Sequence, residues 1–203
     1  LGDVNADGID DFAVTANTRE VDGDTRTGET YVIFGVDSTG GGDFGDSFDI
    51  ATLNGKNGFA MSGGDSYDSL GTAVSSAGDI NNDGIDDFVV TAQYAGTAEE
   101  GKAYVVFGTD TEFEPTLDLE SLDGTNGFQI LGDTYFETLG VSASPAGDVN
   151  GDGIDDILIG KPYEMPNLYS ETTTGAAYLI LGQDTATDGD FDAAINLASF
   201  NSS

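Results

Sequence analysis

Cysteine, histidine and tryptophan are absent from the 203 residues, and Lys plus Arg total 5. Without cysteine there is no disulfide framework, no thiolate metal site and no cysteine nucleophile. Without histidine as well, most zinc and copper sites are excluded, as is any triad that uses imidazole as its base. The scarcity of basic residues sets them against 38 Asp plus Glu, for a formal charge of −33. A surface of that sign repels phosphate backbones and anionic membranes, so nucleic acid is not an expected partner and cations are. No apolar run approaches the length of a membrane-spanning helix, so no membrane insertion is expected. The chain opens at Leu1 with neither Met nor a signal sequence, which reads as a processed protein or a piece of a longer one.

What is present argues for a folded chain. Hydrophobic residues make up 38%, with 12 Phe and 8 Tyr, whereas disordered acidic chains are poor in aromatic and β-branched residues. A chain of this size typically buries ~70% of its unfolded surface. Three kinds of segment recur in fixed order. GDVNADGIDDFAVTA from Gly2, GDINNDGIDDFVVTA from Gly78 and GDVNGDGIDDILIGK from Gly147 are acidic turns that run into apolar stretches. GETYVIFG from Gly28, GKAYVVFG from Gly101 and GAAYLILG from Gly175 follow them. DIATLNGKNGFAMSG from Asp49 and DLESLDGTNGFQILG from Asp118 come next, with INLASFNSS from Ile195 as a shortened third copy. SLGTAVSSAGD from Ser69 and TLGVSASPAGD from Thr138 lead into the next turn.

FVVTA and AYVVFG are short β-branched and aromatic runs bounded by Gly, Asp and Asn, which is how strands read. GFQIL and LGVSAS are weaker strands, and no segment has a helical period. The expected fold is all-β: about three tandem four-stranded antiparallel β-propeller-type blades with Ca²⁺-binding loops between strands. The repeats divide at 1–64, 65–133 and 134–203. The chain then falls about 20 residues short of a whole number of repeats. The first repeat lacks its innermost strand and the third its outermost.

LGTAVSSAGDINNDGIDDFVVTAQ followed by GKAYVVFG resembles the FG-GAP repeat of integrin α-chain β-propellers and of bacterial surface and secreted proteins. The FG dipeptide is here Leu70-Gly71 and Leu139-Gly140, and the GAP tripeptide is TAN, TAQ and GKP. The resemblance implies Ca²⁺-binding loops between strands and an extracellular or cell-surface location.

Counted from its first Asp, each acidic turn places side-chain oxygens at positions 1, 3, 5 and 9, a Gly at 6 for the sharp bend and an Ile carbonyl at 7. The candidate metal ligands are Asp3, Asn5, Asp7, Ile9 and Asp11; Asp79, Asn81, Asp83, Ile85 and Asp87; and Asp148, Asn150, Asp152, Ile154 and Asp156. Ca²⁺, at three sites, is the expected cofactor, since it takes six to eight oxygens while Mg²⁺ demands an octahedron and keeps its waters. Position 12, the bidentate Glu of an EF-hand, is Val14, Val90 or Ile159, so these are not EF-hands. The Ile side chains at position 7 are expected to plug the core. Asp10, Asp86 and Asp155 at position 8 should point away from the cation, to cap loop amides or face solvent.

Other candidates read as structural. Tyr31, Tyr104 and Tyr178 hold equivalent strand positions and should be packing residues. The acidic connections from Gly40, Glu112 and Thr187 read as solvated loops, and Lys161 is placed to pair with an acidic turn. Gly40 to Gly42 is not followed by the Lys of a phosphate loop. Asn201-Ser202-Ser203 is a glycosylation sequon. No acidic residue breaks the repeat symmetry as an active site would, so no enzyme is expected. The expected function is a Ca²⁺-stabilised extracellular structural or adhesive module, whose partner is a protein, by adhesion or self-association, or a surface glycan. Alternatives are a subunit of a homopolymeric surface filament joined by strand addition, and a carbohydrate-binding or hydrolytic module.

Overall fold

The computed structural model describes residues 1–133, 138–164 and 174–199. The sequon at Asn201 lies outside them. Twelve strands form three sheets among the described residues. The first holds β1 (Phe12–Ala16), β2 (Glu29–Ile33) and β3 (Gly58–Ser62). The central one runs from β4 (Leu70–Gly78) through β5 (Asp87–Ala92) and β6 (Lys102–Val106). Two-residue β7 (Thr116–Leu117) joins the outer edge of the first sheet, and β8 (Gly127–Leu131) completes the antiparallel part of the central one. The third sheet has β9 (Ser142–Gly147), β10 (Asp156–Glu164) and β11 (Thr174–Ile180), while β12 (Ala194–Asn196) extends the central sheet beyond β8.

β4, β5, β6 and β8 form the expected antiparallel four-strand meander. The difference lies at its edge. β7 pairs in parallel with β3, and β12 in parallel with β8, so a segment of one repeat lengthens the sheet of the repeat before it. LGVSAS from Leu139 also starts later than expected, with the strand beginning at Ser142.

Every residue of β5 is buried, whereas β1 has Phe12 and Val14 exposed at 43% and 48%. A central sheet is packed on both faces and needs a continuous apolar run, while an outer sheet has one face open. Phe88, Val90 and Tyr104 meet Val32, Phe59 and Met61 of the first sheet in one core cluster. Val89, Val105 and Phe128 meet Ile157, Ile159 and Ile180 of the third in another. Tyr31 and Tyr104 are buried, and Tyr178 packs against the second cluster.

Two readings of the sequence need correction. The connections from Glu112 and Thr187 are not merely solvated: Phe113 stacks on Phe59 with ring centres 4.4 Å apart, and Phe191 on Phe128 at 4.5 Å. One apolar ring in an acidic loop thus closes the outer end of the preceding sheet. Lys161 is fully buried and pairs with Asp133, Nζ to Oδ1 2.8 Å, over the Tyr178 ring, rather than with an acidic turn. A buried ammonium needs such a partner, and Asp133 supplies it where Lys161 leaves the turn behind along β10.

Candidate metal sites

The three acidic loops fold alike, starting from their backbone. Position 6 is left-handed at Gly8, Gly84 and Gly153, with φ of 87°, 90° and 92°. Position 4 is left-handed too, at Ala6, Asn82 and Gly151. Asn and Gly accept that conformation readily; Ala6 is held in it by the loop around it.

Side-chain oxygens then gather the loop amides. The position-1 carboxylate accepts from the amides of positions 5 and 6: Asp7 N to Asp3 at 3.0 Å and Gly8 N to Asp3 at 2.8 Å, with Asp83 and Gly84 doing the same to Asp79 and Asp152 and Gly153 to Asp148. Position 3 accepts from the amide of position 5, and position 5 from that of position 7, in all three copies. Asp148 Oδ1 accepts a second amide, from Gly151 at 2.6 Å. The Asn Nδ2 also donates to the position-5 carboxylate, at 3.0, 2.9 and 2.7 Å, a contact that an arriving cation would have to displace. Among the described residues, no group of three or more carboxylates is drawn close enough to hold a metal ion.

Position 9 is anchored differently. Asp11, Asp87 and Asp156 are buried, and each accepts from the amide of position 2 (Val4, Ile80 or Val149) at 2.8–2.9 Å. The other oxygen accepts from Gly35, Gly108 or Gly182, the glycine closing the neighbouring strand run, at 2.8–2.9 Å. A Cβ on any of these glycines would overlap the position-7 Ile or the carbonyl of position 8. The final Gly of YVIFG, YVVFG and YLILG is the signal in the sequence for this partner.

The position-7 Ile therefore packs on a glycine. Of the three only Ile154 is buried, and not completely; the residue that enters the core is at position 2, Val4 or Ile80, both fully buried. Position 8 caps an amide, but of another loop: Asp86 Oδ2 accepts from Asp3 N at 2.9 Å and Asp155 Oδ2 from Asp79 N at 3.2 Å.

Burial raises the carboxyls of Asp11 and Asp87. Asp11 is pushed up to about 6 and Asp87 to about 8, first by desolvation and further by the nearby carboxylates at positions 5 and 1, against the lowering effect of the two amides. A group whose folded pKa exceeds its unfolded value stabilises the fold below the unfolded pKa, near 4, and loses that contribution as pH rises through the folded value. Metal-stripped protein should therefore lose stability between pH 5 and pH 8. With Ca²⁺ in excess the slope should vanish or reverse, because protons then compete with the cation. Thermal midpoints across that range check this, and a rise with pH in stripped protein would contradict it.

The repeat geometry coincides with a known family: residues 70–106 and 139–180 match the FG-GAP repeat. Those two stretches carry FG-GAP repeats. It is 30% identical over 172 residues to integrin alpha pat-2 of Caenorhabditis elegans, covering 79% of this chain and 12% of that protein. Integrin alpha-V of Gallus gallus is 31% identical over 113 residues, 56% of this chain and 10% of the relative. Phosphatidylinositol-glycan-specific phospholipase D of Bos taurus is 36% identical over 124 residues, 57% of this chain and 14% of the relative. The chain thus spans a small part of each relative's length. Its all-β sheets fit a β-propeller-like architecture.

Proposed function

We propose that this chain is a Ca²⁺-stabilised extracellular structural or adhesive module without enzymatic activity, its repeats bounded at 1–64, 65–133 and 134–203. The observation that carries the reading is the threefold recurrence of one loop. Oxygen donors of the same type stand at the same five positions, and the Asp at position 9 is buried in each copy. Three carboxylates in so small a space repel one another, and a divalent ion converts that repulsion into attraction. Oxygen-only donors on a flexible loop suit Ca²⁺ rather than a transition metal. The residues that would hold it are Asp3, Asn5, Asp7, the Ile9 carbonyl and Asp11, with their counterparts from Asp79 and Asp148. Bound there, the ion neutralises the loop and ties its entry at position 1 to the start of the following strand at position 9.

The resemblance to integrin α chains supports an adhesion role at the cell surface, with a protein or glycan partner. No helix among the described residues is long and apolar enough to cross a membrane. The phospholipase D relatives carry an enzyme's name, yet each loop here repeats its neighbours, which favours a stabilising role for the carboxylates. A filament subunit is the second reading. It is favoured by β7 and β12, in which this chain already practises strand addition between repeats.

The test is calorimetric titration of metal-stripped protein with Ca²⁺, together with thermal melts in Ca²⁺ and in chelator. Three sites and a midpoint higher in Ca²⁺ are expected, since binding to the folded state alone adds about 2.7 kcal/mol at a hundredfold excess over Kd. Equal midpoints would refute the reading.

A further inference from the structure

Four Asn residues are followed directly by Gly: Asn54, Asn57, Asn126 and Asn150. Such a pair is chemically labile, because the glycine amide nitrogen can attack the Asn side-chain carbonyl carbon and no Cβ on the glycine stands in the way. The new bond from nitrogen to Cγ closes a cyclic imide, the bond from Cγ to Nδ2 breaks, and the proton of the glycine amide departs with Nδ2 as ammonia. Water then opens the imide at either carbonyl. The products are Asp, and isoaspartate in which the main chain runs through the former side chain.

The fold guards three of the four pairs. Gly58 and Gly127 open β3 and β8, are buried, and lie so near the facing strand that a Cβ would overlap the carbonyl of Val32 or Val105. Their Asn side chains are tied to the preceding turn: Asn57 Oδ1 accepts from Asn54 N at 3.0 Å while its Nδ2 donates to the Thr52 carbonyl at 3.1 Å, and Asn126 Oδ1 accepts from Asp123 N at 3.0 Å. Gly55 is buried against the Phe113 carbonyl, and its amide donates to the Gly58 carbonyl at 2.9 Å. Attack at any of these three requires the end of a sheet to come apart.

Asn150 and Gly151 are positions 3 and 4 of the third acidic loop. Gly151 is exposed, with nothing within 4 Å of where a Cβ would stand. Position 4 is exposed in the other two loops as well, at Ala6 and Asn82, so this openness belongs to the loop itself. The third loop differs in having no side chain there. Gly151 N donates to Asp148 Oδ1 at 2.6 Å, so a carboxylate already holds the proton that the attack must release. Asn150 Oδ1 accepts from Asp152 N at 3.0 Å, a donor placed where negative charge develops as the carbonyl is attacked. These bonds all lie within the loop, so a local opening is enough to free Asn150.

We propose that Asn150 is a self-modification site, converted through Gly151 to Asp and isoaspartate while the third loop is empty, and that a bound cation closes it. The second half rests on the Ca²⁺ reading above. Asn150 Oδ1 and the Asp148 carboxylate are the position-3 and position-1 donors; held on a cation, neither is free for the reaction. Isoaspartate adds a carbon to the main chain and shortens the side chain, which destroys the spacing of donors that Ca²⁺ requires. A period without cation is thereby recorded covalently in the third loop, while Asn5-Ala6 and Asn81-Asn82 are spared.

The full chain is incubated at mildly alkaline pH in chelator and in Ca²⁺, and followed by intact mass and by peptide mapping that separates Asp from isoaspartate. In chelator each chain should gain one mass unit, at Asn150, at least about tenfold faster than at the three guarded pairs, since local opening needs less free energy than unfolding a sheet. With Ca²⁺ at a hundredfold excess over Kd the rate should fall about a hundredfold, because only the empty fraction of loops reacts. Gly151→Ala should abolish the reaction and keep Ca²⁺ binding, since Ala6 holds the same left-handed conformation in the first loop. An unmodified Asn150, or reaction spread evenly over the four pairs, would overturn the proposal. Equal rates at Asn150 in Ca²⁺ and in chelator, in protein whose calorimetry shows three filled sites, would overturn the cation gate and leave the Ca²⁺ reading standing. Absence of calorimetric binding would remove the Ca²⁺ reading and the gate with it, while the rate in chelator still decides the modification site.

Discussion

Replacing Asp87 with Ala should cost about 2–6 kcal/mol even in metal-stripped protein. Its two oxygens hold the buried amides of Ile80 and Gly108, and a buried amide left without a partner costs about 1–3 kcal/mol. Asp83→Ala makes the informative contrast. Asp83 is exposed and its amide contacts can be taken over by water, so stripped protein should change by only about 0.5 kcal/mol. In Ca²⁺ the order of effects should differ: Asp83→Ala should remove one binding site in three and the stabilisation that site adds. Denaturant unfolding of both variants, stripped and loaded, separates the loop as a cation site from the loop as a good turn. An Asp83→Ala protein with the full Ca²⁺ response would leave only the turn.

Phe128→Ala should lower stability by about 3–5 kcal/mol, the range for deleting a large buried aromatic side chain. Phe128 is fully buried between the central and third sheets, stacked on Phe191 with rings 11° from parallel. Phe191→Ala decides what the acidic connection from Thr187 does. If Phe191 closes the sheet end as its 7% exposure indicates, its loss should cost about 2–4 kcal/mol; a solvated loop would feel under about 0.5 kcal/mol. Phe44, its counterpart in the first repeat, meets Phe12 and Phe48 instead.

The strands were legible because each is short, bounded by Gly or Asp, and β-branched or aromatic within. Their order was legible because the sequence repeats it. The loop's spacing of Asp, Asn, Gly and Ile could be read for the same reason, since a turn is made by residues near one another in the chain. Edge strands β7 and β12 could not be read. Two or three residues in an acidic connection carry no period, and their pairing is decided by the open edge of β3 or β8.

What the sequence by itself determined is therefore local and periodic: an all-β chain, its repeats, and three acidic loops with matching donors. The tertiary structure decided where those loops are anchored. Asp87 takes a partner, Gly108, that is 21 residues away, and Asp86 reaches back to the amide of Asp3, 83 residues away. Such bonds depend on how one sheet stacks on the next, and stacking is set by side-chain shape across a buried face, which no spacing along the chain encodes. The same stacking made Val4 and Ile80 core residues while leaving Val149, the same position in the third repeat, at the surface.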